Sequence, residues 1–517
     1  MINWFPTLFQ WFILISTVCL AGVICRSLVL SFIKPPHTSN AESDMPVESA
    51  KSGAADNVGK SAKSGAAANA GKSVKASAAA DIGADAETPA IISEHYNKPP
   101  FYTIRQPVFW HIVILAALSR VILYGVAFLA SRIYIDSGGS FLGALPNLWQ
   151  RSDAPHYVAI AENWYVNTGE DRVFLVFLPF FPILIRLFSY VFGNAVFSGI
   201  LISLLSYIAA CVLFYEVALL IGQDEGTAYH SVKYAVFFPA SFFINGAFSE
   251  GLFLLTSALF FHCLLRKKWL LAACFGLLAS FTRYYGLLLV IPFAIELAQD
   301  FASLRARALV SLGKKEGAGP IRENAAILDQ PGKREGAAPS RNNTAIFKLA
   351  DVIKRSVPIL LIPAGTGIYL VINYAVSGNF FQFLIYQREH WNQRFAFFFD
   401  NVRTLAQNVI AFDRATSASL FIPQIICIVL FIALLAYGAI TKFRVSFLAY
   451  LGVYYLLSIS AYWMLSFPRY IFGAVPIFHL MASLGNRSHA ADALISMACF
   501  AGLIFLTIAY TCGFHVY

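Results

Sequence analysis

Between Asn147 and Tyr165 the chain reads NLWQRSDAPHYVAIAENWY, a short stretch that gathers Trp149, Asp153, His156, Tyr157, Glu162 and Trp164. A carboxylate can take a proton from a hydroxyl as general base, and a neighbouring imidazole or phenol can orient that hydroxyl. Asp153 is the candidate base, with His156 and Tyr157 beside it. Glu162 and Trp164 are candidate substrate contacts.

Four other places set charge into apolar surroundings. They are Glu250 in FINGAFSEGLF, Arg283 in FTRYYG, Arg388 with Glu389 and His390 in QREHW, and Arg469 with Tyr470 in FPRY. A charge at membrane depth costs several kcal/mol unless it is paired or hydrated, so such residues face a bundle interior or a water-filled cavity. Arginine holds its charge and grips phosphate oxygens two at a time. Arg283, Arg388 and Arg469 therefore suit a donor phosphate, Glu250 joins Asp153 and His156 in the catalytic set, and Tyr157, Glu162, Trp164 and Tyr470 suit a sugar face. Together they fit transfer from a lipid-phosphate donor. No P-loop, no strand followed by G-x-G-x-x-G, no D-x-D loop and no zinc-type Cys/His spacing occurs, so neither a cofactor nor a metal ligand set is predicted, and the sequence leaves any divalent-metal requirement open.

The elements that must position these residues are helices in a membrane. The chain is 58% hydrophobic and 13% charged, with mean hydropathy +0.64. Apolar runs of roughly 20 residues recur, the length that crosses about 30 Å of hydrocarbon as a helix. The fold class is an all-α polytopic membrane protein, a bundle of about 10–12 membrane helices by span length. The net charge of +10 does not point to nucleic acid, because Lys and Arg concentrate in loops and at span ends. The eight cysteines all fall inside or at the ends of apolar segments and read as buried free thiols.

Residues 1–33 form a first span. Residues 34–106 form a low-complexity linker, whose KSGAADNVGKSA is followed directly by KSGAAANAGKSV. Residues 107–298 hold the first part of the catalytic module, and residues 356–517 hold the C-terminal spans. Between them lies a loop, 299–355, in which KKEGAGPIRENAAI returns 19 residues later as KREGAAPSRNNTAI. Its 11 Lys and Arg against 6 Asp and Glu mark it cytoplasmic. Counting spans from that loop puts every polar cluster on the outer side, provided that Phe174–Phe192 is one interfacial or re-entrant helix. Tyr229–Leu265 breaks at NGAFSE, and Trp269–Leu297 breaks at TRYYG, as hairpins would.

WQRSDAPHYVAIAENWY followed by FLPFFPILIR resembles the glycosylphosphatidylinositol mannosyltransferase II (PIG-V type) family and its bacterial relatives. FPASFFINGAFSEGLF, FTRYYGLLL and SFPRYIFGAVPIF resemble three further motifs of that family in the same order. The resemblance covers about Trp110 to Leu484. It departs from the pattern where Ser152 separates Asp153 from any tryptophan, and where Phe248 stands for a tyrosine.

The resemblance implies a GT-C type glycosyltransferase with extracytoplasmic active-site loops, taking mannose from a polyprenyl-phosphate donor with inversion. Asp153 would be the base, Glu250 the hairpin carboxylate, and Arg283 and Arg469 the basic positions. The implied partners are the lipid-phosphate sugar donor, a glycan, glycolipid or protein acceptor, and membrane lipids, with no nucleic acid. Of the Asn-x-Ser/Thr sites, Asn342 and Asn486 fall inside, which favours a bacterial plasma membrane over the endoplasmic reticulum. The rival readings are a transporter or flippase of lipid-linked sugars and a non-catalytic scaffold.

Overall fold

Inside hydrocarbon a backbone must satisfy its own hydrogen bonds, and this chain does so by forming helices. The computed structural model describes residues 105–135, 141–316 and 349–517. The predicted first span, the low-complexity linker as far as residue 104, and the repeats apart from residues 314–316 lie outside the described residues. No strand occurs among the described residues, only an isolated bridge between Phe395 and Ala461. Among the described residues six helices are long and apolar enough to cross a membrane, or up to eight if each of two bent pairs is one span. The protein is a multi-pass membrane protein of helical class. Three shorter apolar helices complete the apolar set.

In chain order the helices are α1 (Gln106–Tyr134), α2 (Phe141–Leu148), α3 (Ala154–Asn163), α4 (Phe180–Phe192), α5 (Ala195–Leu220), α6 (Glu225–Phe237), α7 (Glu250–Leu265), α8 (Trp269–Thr282) and α9 (Val290–Glu316). After the undescribed segment come α10 (Leu349–Ser356), α11 (Leu361–Ser377), α12 (Gln382–His390), α13 (Phe398–Ala411), α14 (Ile422–Ile440), α15 (Val445–Ile459), α16 (Phe467–Phe472), α17 (Pro476–Gly485) and α18 (His489–Thr511). Short 3-10 turns at Glu170–Val176, Pro239–Asn245 and Tyr284–Leu289 precede α4, α7 and α9.

These turns are where sequence expectations meet local chemistry. A residue before proline is pushed out of the helical region. Phe238, before Pro239, is accordingly extended, ending α6, and the turn that follows bends by 109° into α7. The run Phe174–Phe192 is not one helix: it breaks at Phe177–Leu178, before Pro179, and bends by 115°. The repeat-bearing loop is also shorter than its composition suggested, since α9 runs on to Glu316 and α10 begins at Leu349. Ala, Leu and Arg after Leu297 are good helix formers even where apolarity stops.

The bundle has two polar ends. α7 alone, with 16 residues, separates them by about 24 Å. At one end Asp300 holds both Lys267 and Arg355, and Glu296 meets Arg444 at 2.6 Å and accepts from Ser446. Glu216 and His262 pair there at 2.9 Å, both buried. At the other end stand Glu250, Arg283 and Arg469, described below. Of the described cysteines, Cys211, Cys263 and Cys499 are buried as expected, but Cys274 is exposed.

Close helix packing rests on glycine at two points. A Cβ on Gly251 would run into the carbonyl of Ser203, and one on Gly365 into Leu277 and Ser280. The first lets α7 lie against α5 beside Glu250. The second lets α11 lie against α8, just below Arg283.

Candidate active site

Asp153 stands at the N-terminal edge of α3, directly before Ala154-Pro155. An aspartate there ordinarily caps the helix by accepting from a backbone N–H, as Asp224 does for α6. Asp153 makes no such bond, so its carboxylate is left for tertiary contact. Ser152 before it takes φ +56, a left-handed conformation unusual outside glycine. The preceding turn is pinned to the end of α18. There Arg151 Nη1 donates to the Tyr510 carbonyl at 2.6 Å, and Tyr510 donates back to the Arg151 carbonyl at 3.1 Å. Trp149, wholly buried, packs edge-on against Tyr124.

The contact that Asp153 makes is with Arg469, Nη1 to Oδ2 at 2.6 Å. Arg469 comes from α16, a helix of six residues that follows an irregular turn. Its Nε reaches Glu250 Oε1, and the same oxygen takes Arg283 Nη1 at 2.6 Å. Glu250 opens α7 and Arg283 closes α8, so both project from helix ends. Arg283 Nη1 also donates to Ser249 Oγ at 3.1 Å, and that hydroxyl meets Tyr157 at 2.9 Å. The guanidinium of Arg469 lies over the rings of Phe243 and Phe248, at 4.7 and 5.0 Å.

Two acids and two bases therefore compensate one another in one cluster. Glu250 and Arg469 are almost fully buried, whereas Asp153 keeps 27% of its side chain exposed. Burying such charges is costly unless they are paired and hydrogen-bonded, and this array meets that condition. The exposed member is the one a substrate could reach.

The other predicted residues are placed unevenly. Tyr157 is in the network, packed by Phe177 and Phe181. His156 is half-buried one turn into α3, its ring 4.5 Å from that of Phe174. Burial pulls its imidazole below the ordinary value, although Asp153 and Asp171 oppose this. Tyr470 is half-buried with its ring 5.6 Å from Tyr285. Trp164 ends α3 at φ +65 against Tyr165. Glu162 is exposed in the last turn of α3, about 13 Å along the helix from Asp153. Arg388 is exposed on α12 and makes no ion pair with a described residue. It is not among the side chains that pair with Glu250 or Asp153.

Ser249 is the member that residue chemistry overlooked, although it sits beside Glu250 in the quoted FSE. Tyr285 and Tyr454 were overlooked too: they stack at 4.3 Å beside Tyr470. The signal for Tyr285 was the doubled tyrosine after Arg283.

The cluster is recessed. Tyr369 of α11 meets Tyr284, the neighbour of Arg283, at 3.1 Å, and donates to the Leu175 carbonyl at 2.6 Å. α11 then continues to Ser377, about 12 Å beyond that level. Among the described residues no group of three or more His, Cys, Asp or Glu could hold a metal ion. No family model matches the chain, and neither a curated protein nor a solved structure matches it.

Proposed function

We propose that this protein is a membrane glycosyltransferase, moving a mannose-type sugar from a polyprenyl-phosphate donor to a hydroxyl acceptor at the extracytoplasmic face. One observation carries the reading. The accessible carboxylate of Asp153, unused as a helix cap, sits at the open side of a buried Arg469–Glu250–Arg283 array formed where helices end. A scaffold has no need of such an array, because apolar packing of equal volume is at least as stable.

In this reading Asp153 takes the acceptor proton, and the acceptor oxygen attacks the anomeric carbon from the face opposite the phosphate. The carbon–oxygen bond to phosphate breaks with its electron pair leaving on the phosphate, and the configuration inverts. Arg469 and Arg283 balance the charge that develops there. The resemblance to the mannosyltransferase motifs supports the sugar and donor class, and the long apolar helices that carry the bundle support a lipid-borne substrate.

The test is transfer by the purified protein in detergent, given radiolabelled polyprenyl-phosphate mannose and a panel of glycolipid and glycan acceptors. Asp153→Asn should lower the rate by about 10²–10⁴-fold, the usual contribution of a general base. An equal rate in the variant removes Asp153 as base. Donor binding without transfer to any acceptor, together with donor movement across proteoliposomes, would establish the transporter instead.

A further inference from the structure

Arg120 stands at the middle of α1, about 21 Å from either end, and is 1% exposed. A guanidinium at that depth is costly unless it is compensated. No acid pairs with it among the described residues. Its hydrogen bonds all go to uncharged oxygens. Nη1 donates to the Ser241 carbonyl at 2.6 Å and to the Ser241 hydroxyl at 3.3 Å, Nη2 to the Val236 carbonyl at 2.9 Å, and Nε to Ser119 Oγ at 3.1 Å. The ring of Tyr207 lies 5.2 Å away.

These contacts answer a need that the broken span creates. Helix α6 stops at Phe237, and Pro239 has no N–H to offer the carbonyls of its last turn. Inside hydrocarbon those carbonyls must find other donors, and a helix C-terminus favours a cation. The Ala235 carbonyl accepts from the Tyr207 hydroxyl at 3.0 Å, and the Val236 carbonyl accepts from Arg120 and from Ser241 Oγ.

The far end of the Pro239–Asn245 turn is held by the same face of α1. Asn245 Nδ2 donates to the Arg120 carbonyl at 2.9 Å, and the Tyr124 hydroxyl donates to the Asn245 carbonyl. Arg120 and Tyr124 lie one helical turn apart. Tyr124 also meets Trp149, four residues before Asp153, at 4.9 Å between ring centres.

The clasped turn leads directly to the site. It carries Phe243 and then Phe248, the two rings beneath Arg469, followed by Ser249 and Glu250. The hydrogen bonds of Arg120 reach none of these four. We infer that Arg120 and Tyr124 are positioning residues for the reaction: by clasping the Pro239–Asn245 turn to α1 they set where Glu250 meets Arg469, and through Arg469 where the Asp153 carboxylate stands. The role in the reaction rests on the transferase reading, whereas the clasp does not. Arginine suits it because a planar fork meets Val236 and Ser241 together, while an ammonium is a point charge.

The experiment makes two measurements on the full-length protein in detergent: hydrogen–deuterium exchange read peptide by peptide, and steady-state transfer from polyprenyl-phosphate mannose. In Arg120→Lys, exchange across residues 238–250 should quicken at least about tenfold, and in Tyr124→Phe about fivefold, with residues 296–300 at the other polar end unchanged. Arg120→Lys should lower kcat by about 10²-fold and leave the donor KM unaltered, because geometry and not a substrate contact is lost. Tyr124→Phe should lower kcat by about fivefold, and this small truncation decides the matter if the lysine variant does not fold. Arg444→Met, which breaks an ion pair at the other end, controls for lost stability and should leave kcat and the exchange of residues 238–250 at wild-type level.

Exchange that quickens evenly along the chain, or that stays at the wild-type rate in Tyr124→Phe, overturns the clasp. Local loosening with an unaltered kcat, or with a raised KM alone, overturns the positioning role. A wild type that transfers no sugar defeats the transferase reading and with it the role in transfer, whereas the clasp stands or falls on exchange alone.

Discussion

Glu250 and Arg283 clasp the open ends of one helical hairpin, Oε1 to Nη1 at 2.6 Å, across 33 residues of sequence. The hairpin turns at its far end, where Arg266, Lys267 and Lys268 lie between α7 and α8. The ion pair therefore closes what the turn cannot reach. It also hands the carboxylate to Arg469, which carries the link on to Asp153.

Removing the shared carboxylate should be more damaging than removing the exposed one. Glu250→Gln leaves two buried arginines short of a partner, a loss of about 3–5 kcal/mol for a broken buried pair. Asp153→Asn leaves Arg469 still paired with Glu250. Thermal unfolding in detergent should show a large fall in midpoint for the first and a small one for the second. Equal falls would show that the array is not the closure it is described as.

The packing of α11 on α8 gives an internal comparison within one helix. Gly365→Ala meets the Leu277 carbonyl and the Ser280 hydroxyl, with no space to give, so overpacking of about 1–3 kcal/mol or more is expected. Gly367→Ala, two residues on, meets nothing within 4 Å and should stabilise the helix by up to about 1 kcal/mol. Melting midpoints of opposite sign would bear this out, and matching midpoints would refute the close approach.

His156 gives a pH dependence of known sign. Its pKa is held below the ordinary 6.5 in the folded chain, chiefly by burial. The unfolded chain therefore takes up the proton first, and stability falls as pH drops through about 6.5 toward the lower folded value. Above that window the contribution is flat. His156→Phe keeps a ring against Phe174 and cannot titrate, so the thermal midpoint between pH 8 and pH 5 should fall less in the variant. Parallel curves would remove His156 as the source.

Glu170 and Glu225 are exposed, the first near the Asp153 end of the bundle and the second near the Lys267 end. In a background free of native cysteines, Cys at the two positions should label from opposite sides of the membrane with an impermeant maleimide. Labelling from one side alone would overturn the two-ended layout.

Much of the architecture was legible because it rests on span length and local chemistry. Runs of apolar residues located the long helices, and NGAFSE marked the break that precedes α7. The run Phe174–Phe192 misled as a single helix because apolarity does not report a bend. The end of α9 was missed because helix propensity continues after apolarity stops. Which arginines share a carboxylate is set by tertiary packing, as Arg283 and Arg469 do at Glu250.

The sequence by itself determined that this is a helical membrane protein and that Asp153, Glu250, Arg283 and Arg469 needed partners, because an unpaired charge in hydrocarbon is too costly to keep. It also marked where helices must stop. Only the tertiary structure decided that these four share one array and that Ser249 joins Tyr157 to it. The physical reason is that a charge demands compensation wherever it lies, whereas the identity of its partner is set by how helix ends distant in sequence pack together.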